Sequence, residues 1–395
     1  MFLTLYLPSV NFNVISAEIF PYAIICFIYY HFKMLRVSRG TLIFLILFLS
    51  LGFLHLLFFS LVTEEQFVRS IGSYLNAICA FSVGKIYISR YGVEKFEKLL
   101  RFTFIFFISV AILQFLNLIP FLNSFFYLLK GRGGAGLSDS LRGVSIFATE
   151  PSRAAYEMIL IYLMVRLSLV KFHRLKIYDF AFFVFIALVI KSMTGLLLCT
   201  IFFAFYYVSF RKLIQLSIFI LLFLTSLFFI LEELAQLNNR AINLVIQVLE
   251  SPEPIKLFMQ ASGFRIISIV SSYVYAFNDI WGSGIGSWEQ SSLLALDYVD
   301  ARSLEVPYFY YSCGEYICSV RPTSLLANVA LDFGLIGIIF MFYFLIKFKN
   351  SLNKKYYHGF YFIVFLFLCS STVGHPLIWI VIAYLQALSK NECER

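Results

Sequence analysis

Ser324–Ile346 reads SLLANVALDFGLIGIIFMFYFLI, an apolar run that holds one acidic residue and meets no basic one before Lys347. As a helix rising ~1.5 Å per residue, such a run crosses the ~30 Å hydrocarbon core of a bilayer. It is continuous rather than alternating, which favours a helix over a barrel strand. Lys347, Lys349, Lys354 and Lys355 follow it, so the positive-inside rule puts that end in the cytoplasm.

The composition extends this reading to the whole chain. Of its 395 residues 61% are hydrophobic and 13% charged, and the mean hydropathy is +0.86. Soluble domains sit near ~45–50% apolar and ~25% charged. A polytopic membrane protein is expected, with helical spans because the bilayer leaves no backbone group unsatisfied. The formal charge of +9 sits in short turns between apolar runs, which is a topology signal and not a nucleic-acid one. The first residues lack the basic start and small-residue cleavage site of a signal peptide, so the first apolar segment is expected to stay in the mature chain.

Working outward, spans are expected near 14–31, 40–61, 68–89, 102–119, 150–170, 179–190, 194–210, 213–231, 324–346, 360–372 and 376–388. That makes an all-α polytopic integral membrane protein of about eleven spans, N-terminus outside and C-terminus inside. Residues 1–231 carry spans one to eight, with an outside loop near 121–149. Residues 232–322 form a large outside loop. Residues 323–395 carry spans nine to eleven and a short cytoplasmic tail. The large loop holds five Lys or Arg against ten Asp or Glu. A loop that long inside a compact protein is functional or disordered. Its aromatics and amphipathic stretches favour order, with short helices and a site roofed on one membrane face.

Three clusters fall on the outside. The first is Arg142-Gly143 through Glu150-Pro151-Ser152-Arg153, where Pro151 suits a first helical turn. Glu157 follows one turn later. Arg153 and Glu157 are four apart and could pair, and a charge inside an apolar helix is otherwise a functional signal. The second is Arg265 at the start of an amphipathic helix, followed by Gly282-Ser283-Gly284-Ile285-Gly286. Gly284 and Gly286 would let backbone amides approach an anion, although a glycine run alone is a weak sign. Arg265 would otherwise be an interfacial arginine whose head reaches to water. The third is Arg321 at the entry to span nine. His375, beside Pro376 at the last outside hinge, is a catalytic candidate or a structural histidine.

Tyr308, Tyr310, Tyr311 and Tyr316 form an interfacial aromatic belt or a sugar platform. Cys313 and Cys318 lie on the oxidising side, where a disulfide is expected. No cysteine pair has zinc-ligand spacing and no acidic cluster suits a hard cation, so chemistry without metal or cofactor is expected.

Arginines at an outer rim suit a lipid-linked diphosphate, since the guanidinium fork binds phosphate and stays charged when partly buried. Transfer of a sugar from such a donor needs stabilisation of the leaving diphosphate and a base for the acceptor hydroxyl. The arginines supply the first, and Glu150 or His375 the second.

Taken in order, these motifs resemble the Wzy-type O-antigen polymerases, which are related to the O-antigen ligases. The resemblance rests on Arg142-Gly143 leading to Phe147 and Glu150-Pro151-Ser152, and on the hairpin Ser192-Met193-Thr194-Gly195. It rests also on Arg265 followed by Ile280–Gly286, on Leu331–Gly337 opening the next span, and on His375-Pro376. It implies a glycosyltransferase-C-like membrane fold at the bacterial inner membrane. The implied activity is polymerisation of undecaprenyl-diphosphate-linked oligosaccharide units at the periplasmic face. Arg142 and Arg265 would hold the diphosphate and Glu150 would be a base or an acceptor contact. Arg153, Arg321, Gly284, Gly286 and Tyr311 are the expected substrate contacts. The implied partners are the lipid-linked oligosaccharide and the bilayer, with a chain-length regulator as a further possible one. Ligases place a histidine-asparagine pair where this chain has Pro322-Thr323-Ser324, which favours polymerase. A flippase would need arginines along a cavity within the spans, and a scaffold leaves the clustered arginines unexplained.

Overall fold

The computed structural model describes residues 21–34, 50, 64–118, 143–148, 150–169, 175–207, 251–261 and 264–393. Among them the regular structure is helical, with no strand. The expected spans at 40–61 and 213–231, most of the outside loop near 121–149 and Arg142 lie outside the described residues.

The helices are α1 (Pro21–Met34), α2 (Glu64–Tyr91), α3 (Val93–Phe115), α4 (Pro151–Ser168), α5 (Leu175–Phe185), α6 (Met193–Tyr207), α7 (Pro254–Ala261), α8 (Phe264–Asn278), α9 (Trp288–Tyr298), α10 (Pro307–Cys313), α11 (Leu325–Asn350), α12 (Tyr357–Cys369) and α13 (Pro376–Cys393). Two of them are long and apolar enough to cross a membrane, at Glu65–Tyr91 and Leu325–Asn350.

The central pillar is α4. Glu150 caps it in an extended conformation, Pro151 fills the first turn, and every residue from Ala154 to Leu167 is buried. A helix apolar on all sides has no solvent face to offer, so it sits in the middle of the bundle. Around it pack α3, α6 and α13. Two charges remain in this apolar setting. Arg166 near the end of α4 makes a forked ion pair with Asp179 of α5, Nε to Oδ1 at 3.0 Å and Nη2 to Oδ2 at 3.1 Å. The Arg166 guanidinium also lies 3.6 Å from the centre of the Tyr206 ring. Arg166 is therefore a satisfied structural charge.

Several boundaries differ from the sequence reading. Helix α3 begins at Val93, not near Phe102, because Phe96, Leu100, Thr103 and Phe107 bury one face at three-to-four spacing. Its lysines and arginine occupy the other face. Helix α5 is already helical at Leu175, ahead of the expected start at Asp179, and ends in a π turn, Ile186–Ile190, with Lys191 left-handed behind it. The hairpin to α6 thus turns on Lys191.

The segment 251–322 has its own small core of Ile267, Leu296, Ala301, Val306, Phe309, Ile317 and Val320. The expected Cys313–Cys318 disulfide is present. This segment is fastened to α11 by an interlock of glycines. Ser283 N donates to Leu331 O and Gly284 N to Asp332 O, each at 3.0 Å, and Ile336 N donates to Ile280 O at 3.2 Å. Helix α11 breaks its own pattern to allow this, with Gly334 at φ 59, ψ −150. Few residues other than glycine adopt that conformation. A side chain at Gly282 would meet Gly334 N at 2.4 Å, and one at Gly334 would meet Asp279 O at 2.4 Å. Tyr275 of α8 closes the joint, donating to Asp279 at 2.8 Å and touching Ser283. Burial pushes its phenol up to about 12, so it remains a neutral donor.

Candidate functional site

Three sequence-distant elements meet at Arg265. Its Nη2 lies 3.2 Å from Glu150 Oε2, and its Nη1 lies 3.5 Å from Thr194 Oγ1. Glu150 occupies the N-cap position of α4, Thr194 stands in the first turn of α6, and Arg265 belongs to α8. Helix starts carry a partial positive charge of roughly half a unit each. Those of α4 and α6 lie beside the Arg265 guanidinium, which favours an anion there.

The surrounding backbone is packed tightly enough to hold this geometry. Gly195 leaves room for Ala155, whose Cβ would be 2.4 Å from an added side chain. Gly143 leans on Ile190 and Lys191, where an added Cβ would fall 1.7 Å from Ile190 O. Val144 N donates to Val189 O at 3.3 Å. Only glycine permits these approaches. The glycines of the Arg142-Gly143 and Ser192–Gly195 motifs are therefore spacers that let the loop and the hairpin nest on α4 and α5.

The Arg265–Glu150 pair is partly exposed, with side chains 39% and 58% accessible. Exposed ion pairs contribute ~0–1 kcal/mol. Charge-assisted hydrogen bonds contribute ~1.5–3 kcal/mol each. The half-exposed guanidinium is therefore accessible from solvent and held only weakly by Glu150. Glu150 Oε2 also accepts from Ser152 Oγ at 3.1 Å, which orients the carboxylate. Arg153 follows in the first turn of α4, half-buried, and has no carboxylate partner among the described residues.

The expected Arg153–Glu157 pair is corrected by the structure. Glu157, only 1% exposed, faces His375 instead, Oε1 to Nε2 at 3.4 Å. The His375 ring also meets Tyr156 edge-on at 5.1 Å. This pair lies about two turns of α4 inward from Glu150, roughly 10 Å at the helical rise. Glu150 and His375 are thus not in one contact set. A buried charge is costly unless paired, and each residue supplies the other's partner.

The Gly284 and Gly286 amides are bonded within the fold. Gly284 N is bonded to Asp332 O, and Gly286 N donates to Asp332 Oδ1 at 3.3 Å. Tyr74 OH donates to Asp332 Oδ2 at 2.7 Å. These amides are engaged in the joint with α11. Arg321 belongs to the same neighbourhood, donating from Nε to Asn328 Oδ1 at 3.0 Å. Tyr311 stands apart on α10, 86% exposed. Arg142 lies outside the described residues. The contact with Thr194 was missed in sequence. The signal was its place in the Ser192–Gly195 hairpin, but the partner is 71 residues away.

Among the described residues no group of three or more His, Cys, Asp or Glu is arranged to hold a metal ion. Comparison with known protein families, with curated proteins and with solved structures finds no match for this chain.

Proposed function

We propose that the chain is a polytopic inner-membrane glycosyltransferase with about eleven spans and a glycosyltransferase-C-like bundle. It polymerises undecaprenyl-diphosphate-linked O-antigen repeat units at the periplasmic face. The observation that carries this reading is the meeting of Arg265 with Glu150 and Thr194, side chains from three separate helices. A membrane setting is supported by α2 and α11. It is supported further by the exposed Ile339, Phe340, Tyr343 and Ile346 on the second half of α11.

In this reading an acceptor hydroxyl on a new lipid-linked unit attacks the anomeric carbon of the growing chain. The bond between that carbon and the diphosphate oxygen breaks, and the diphosphate leaves with the electron pair. Arg265 stabilises the charge that develops on the leaving group, together with Arg153 and the helix starts. Arg142, the sequence neighbour of Gly143, joins them by resemblance. Glu150 accepts the hydroxyl proton. The contact between Glu150 and Arg265 supports the reading by keeping a base and an anion holder within reach of one anomeric centre. His375 and Glu157 support the site from within α4 and the α12–α13 hinge.

A null strain tests the reading by its surface polysaccharide. Loss of the chain is expected to leave lipopolysaccharide capped with a single repeat unit, visible as one band above core on a gel. Uncapped core would contradict it and point to a ligase or a flippase.

A further inference from the structure

We propose that the tyrosine-lined hollow on α10 is a carbohydrate subsite that grips the glycan of the lipid-linked substrate. It rests on the transferase reading and adds to it the place where the sugar chain lies. The hollow has a volume of about 350 Å³ and is lined by Glu305, Val306, Pro307, Tyr310, Tyr311 and Tyr316. That is the low end of ligand-sized cavities, which run from ~300 to ~1,000 Å³.

The chemistry of the lining selects the ligand. Helix α10 turns Phe309 inward onto the small core with Val306, Ile267 and Ile317. Tyr310, Tyr311 and Tyr316 are left exposed. The Tyr310 and Tyr311 rings stand 6.2 Å apart and nearly perpendicular, at 74°. Sugars present apolar C–H faces and a rim of hydroxyls. Tyrosine offers an apolar ring and a hydroxyl at low entropic cost, and Glu305 offers a hydroxyl acceptor.

The mount is rigid. The Cys313–Cys318 bridge closes the turn behind α10, and Gly314 caps it left-handed. Tyr308 of α10, beside the hollow's lining in sequence, packs on Phe264 with ring centres 4.4 Å apart. Phe264 is the residue before Arg265. This contact ties α10 to the helix that carries Arg265.

The alternative occupant is the lipid headgroup layer, because tyrosines also gather at membrane interfaces. Three features favour sugar. The rings line a shallow hollow that is open to solvent. A carboxylate stands in the wall. The surrounding loop is acidic, with ten acidic against five basic residues over 232–322, and so repels anionic lipid.

Nitration of exposed tyrosines with tetranitromethane tests the proposal on the full chain in detergent. The probe is oligosaccharide released by mild acid from the host's own surface polysaccharide. Nitration of Tyr310, Tyr311 and Tyr316 is expected to slow about threefold when two thirds of the sites are filled. Tyr298, exposed elsewhere on α9, is the internal control and should be unchanged. The Tyr311→Ala variant should lose the protection at Tyr310 and Tyr316. Absence of protection by the oligosaccharide overturns the subsite. So does protection conferred by vesicles of phosphatidylethanolamine and phosphatidylglycerol with no sugar present. Binding requires no turnover, so the two readings fail separately. Protection alongside normal chain growth in Arg265→Ala would sink the transferase and keep the carbohydrate site. Lost growth without protection would do the reverse.

Discussion

Arg265→Ala is expected to lower the rate of chain extension by about 10²–10³, the usual loss when one preorganised donor to developing charge is removed. In cells this collapses a ladder of long polysaccharides to single repeat units, while those units still reach the surface. Arg265→Lys should recover only part of the rate, because an ammonium is a point charge without the fork. Stability should hardly move. The contact with Glu150 is half in solvent and contributes ~0–1 kcal/mol. The pairing of large catalytic loss with unchanged thermal stability separates a diphosphate holder from a brace. Arg142→Ala is expected to give the same phenotype on the strength of the resemblance. Normal ladders in both variants would remove the donor's proposed grip.

Gly334→Ala should lower stability strongly. At φ 59, ψ −150 a residue with a Cβ carries a strain of ~1–3 kcal/mol. The added carbon would also sit 2.4 Å from Asp279 O and 2.5 Å from Gly282 N. Overpacking of that kind costs a further ~1–3 kcal/mol. Gly92→Ala is the matched control, since Gly92 has φ 82 but nothing within 4 Å of an added Cβ. Thermal unfolding in detergent should show Gly334→Ala falling well below Gly92→Ala. Equal losses would mean that the glycines of 282–286 do not interlock with α11. The variant should also lose transfer activity, because α8 runs from this joint to Arg265.

These two predictions mark where the sequence was legible. The helix α11 was plain because its apolar run is continuous and its end is marked by lysines. The Cys313–Cys318 bridge was readable because both cysteines share one short polar stretch. The start of α3 was misjudged because its lysines and arginine sit on the exposed face of an amphipathic turn, where they look like a loop.

Long-range partners account for the other differences. Arg153 and Glu157 satisfy a local pairing rule, yet the buried carboxylate turns to His375, 218 positions away. The run Gly282–Gly286 has the composition of a phosphate loop. Close approach to an anion and close approach to another backbone make the same demand on a residue. Only the position of Gly334 tells them apart. The meeting of Arg265 with Glu150 spans 115 positions and has no periodicity to announce it. The candidate residues were visible one by one, and their assembly was not.

The most direct test is transfer by the purified full chain in lipid vesicles supplied with undecaprenyl-diphosphate-linked repeat units. The account predicts oligomers of increasing length, with one free undecaprenyl diphosphate released for each glycosidic bond formed, and neither product from the Arg265→Ala protein. Units that remain single with no carrier released, or that cross the bilayer unchanged, would contradict it.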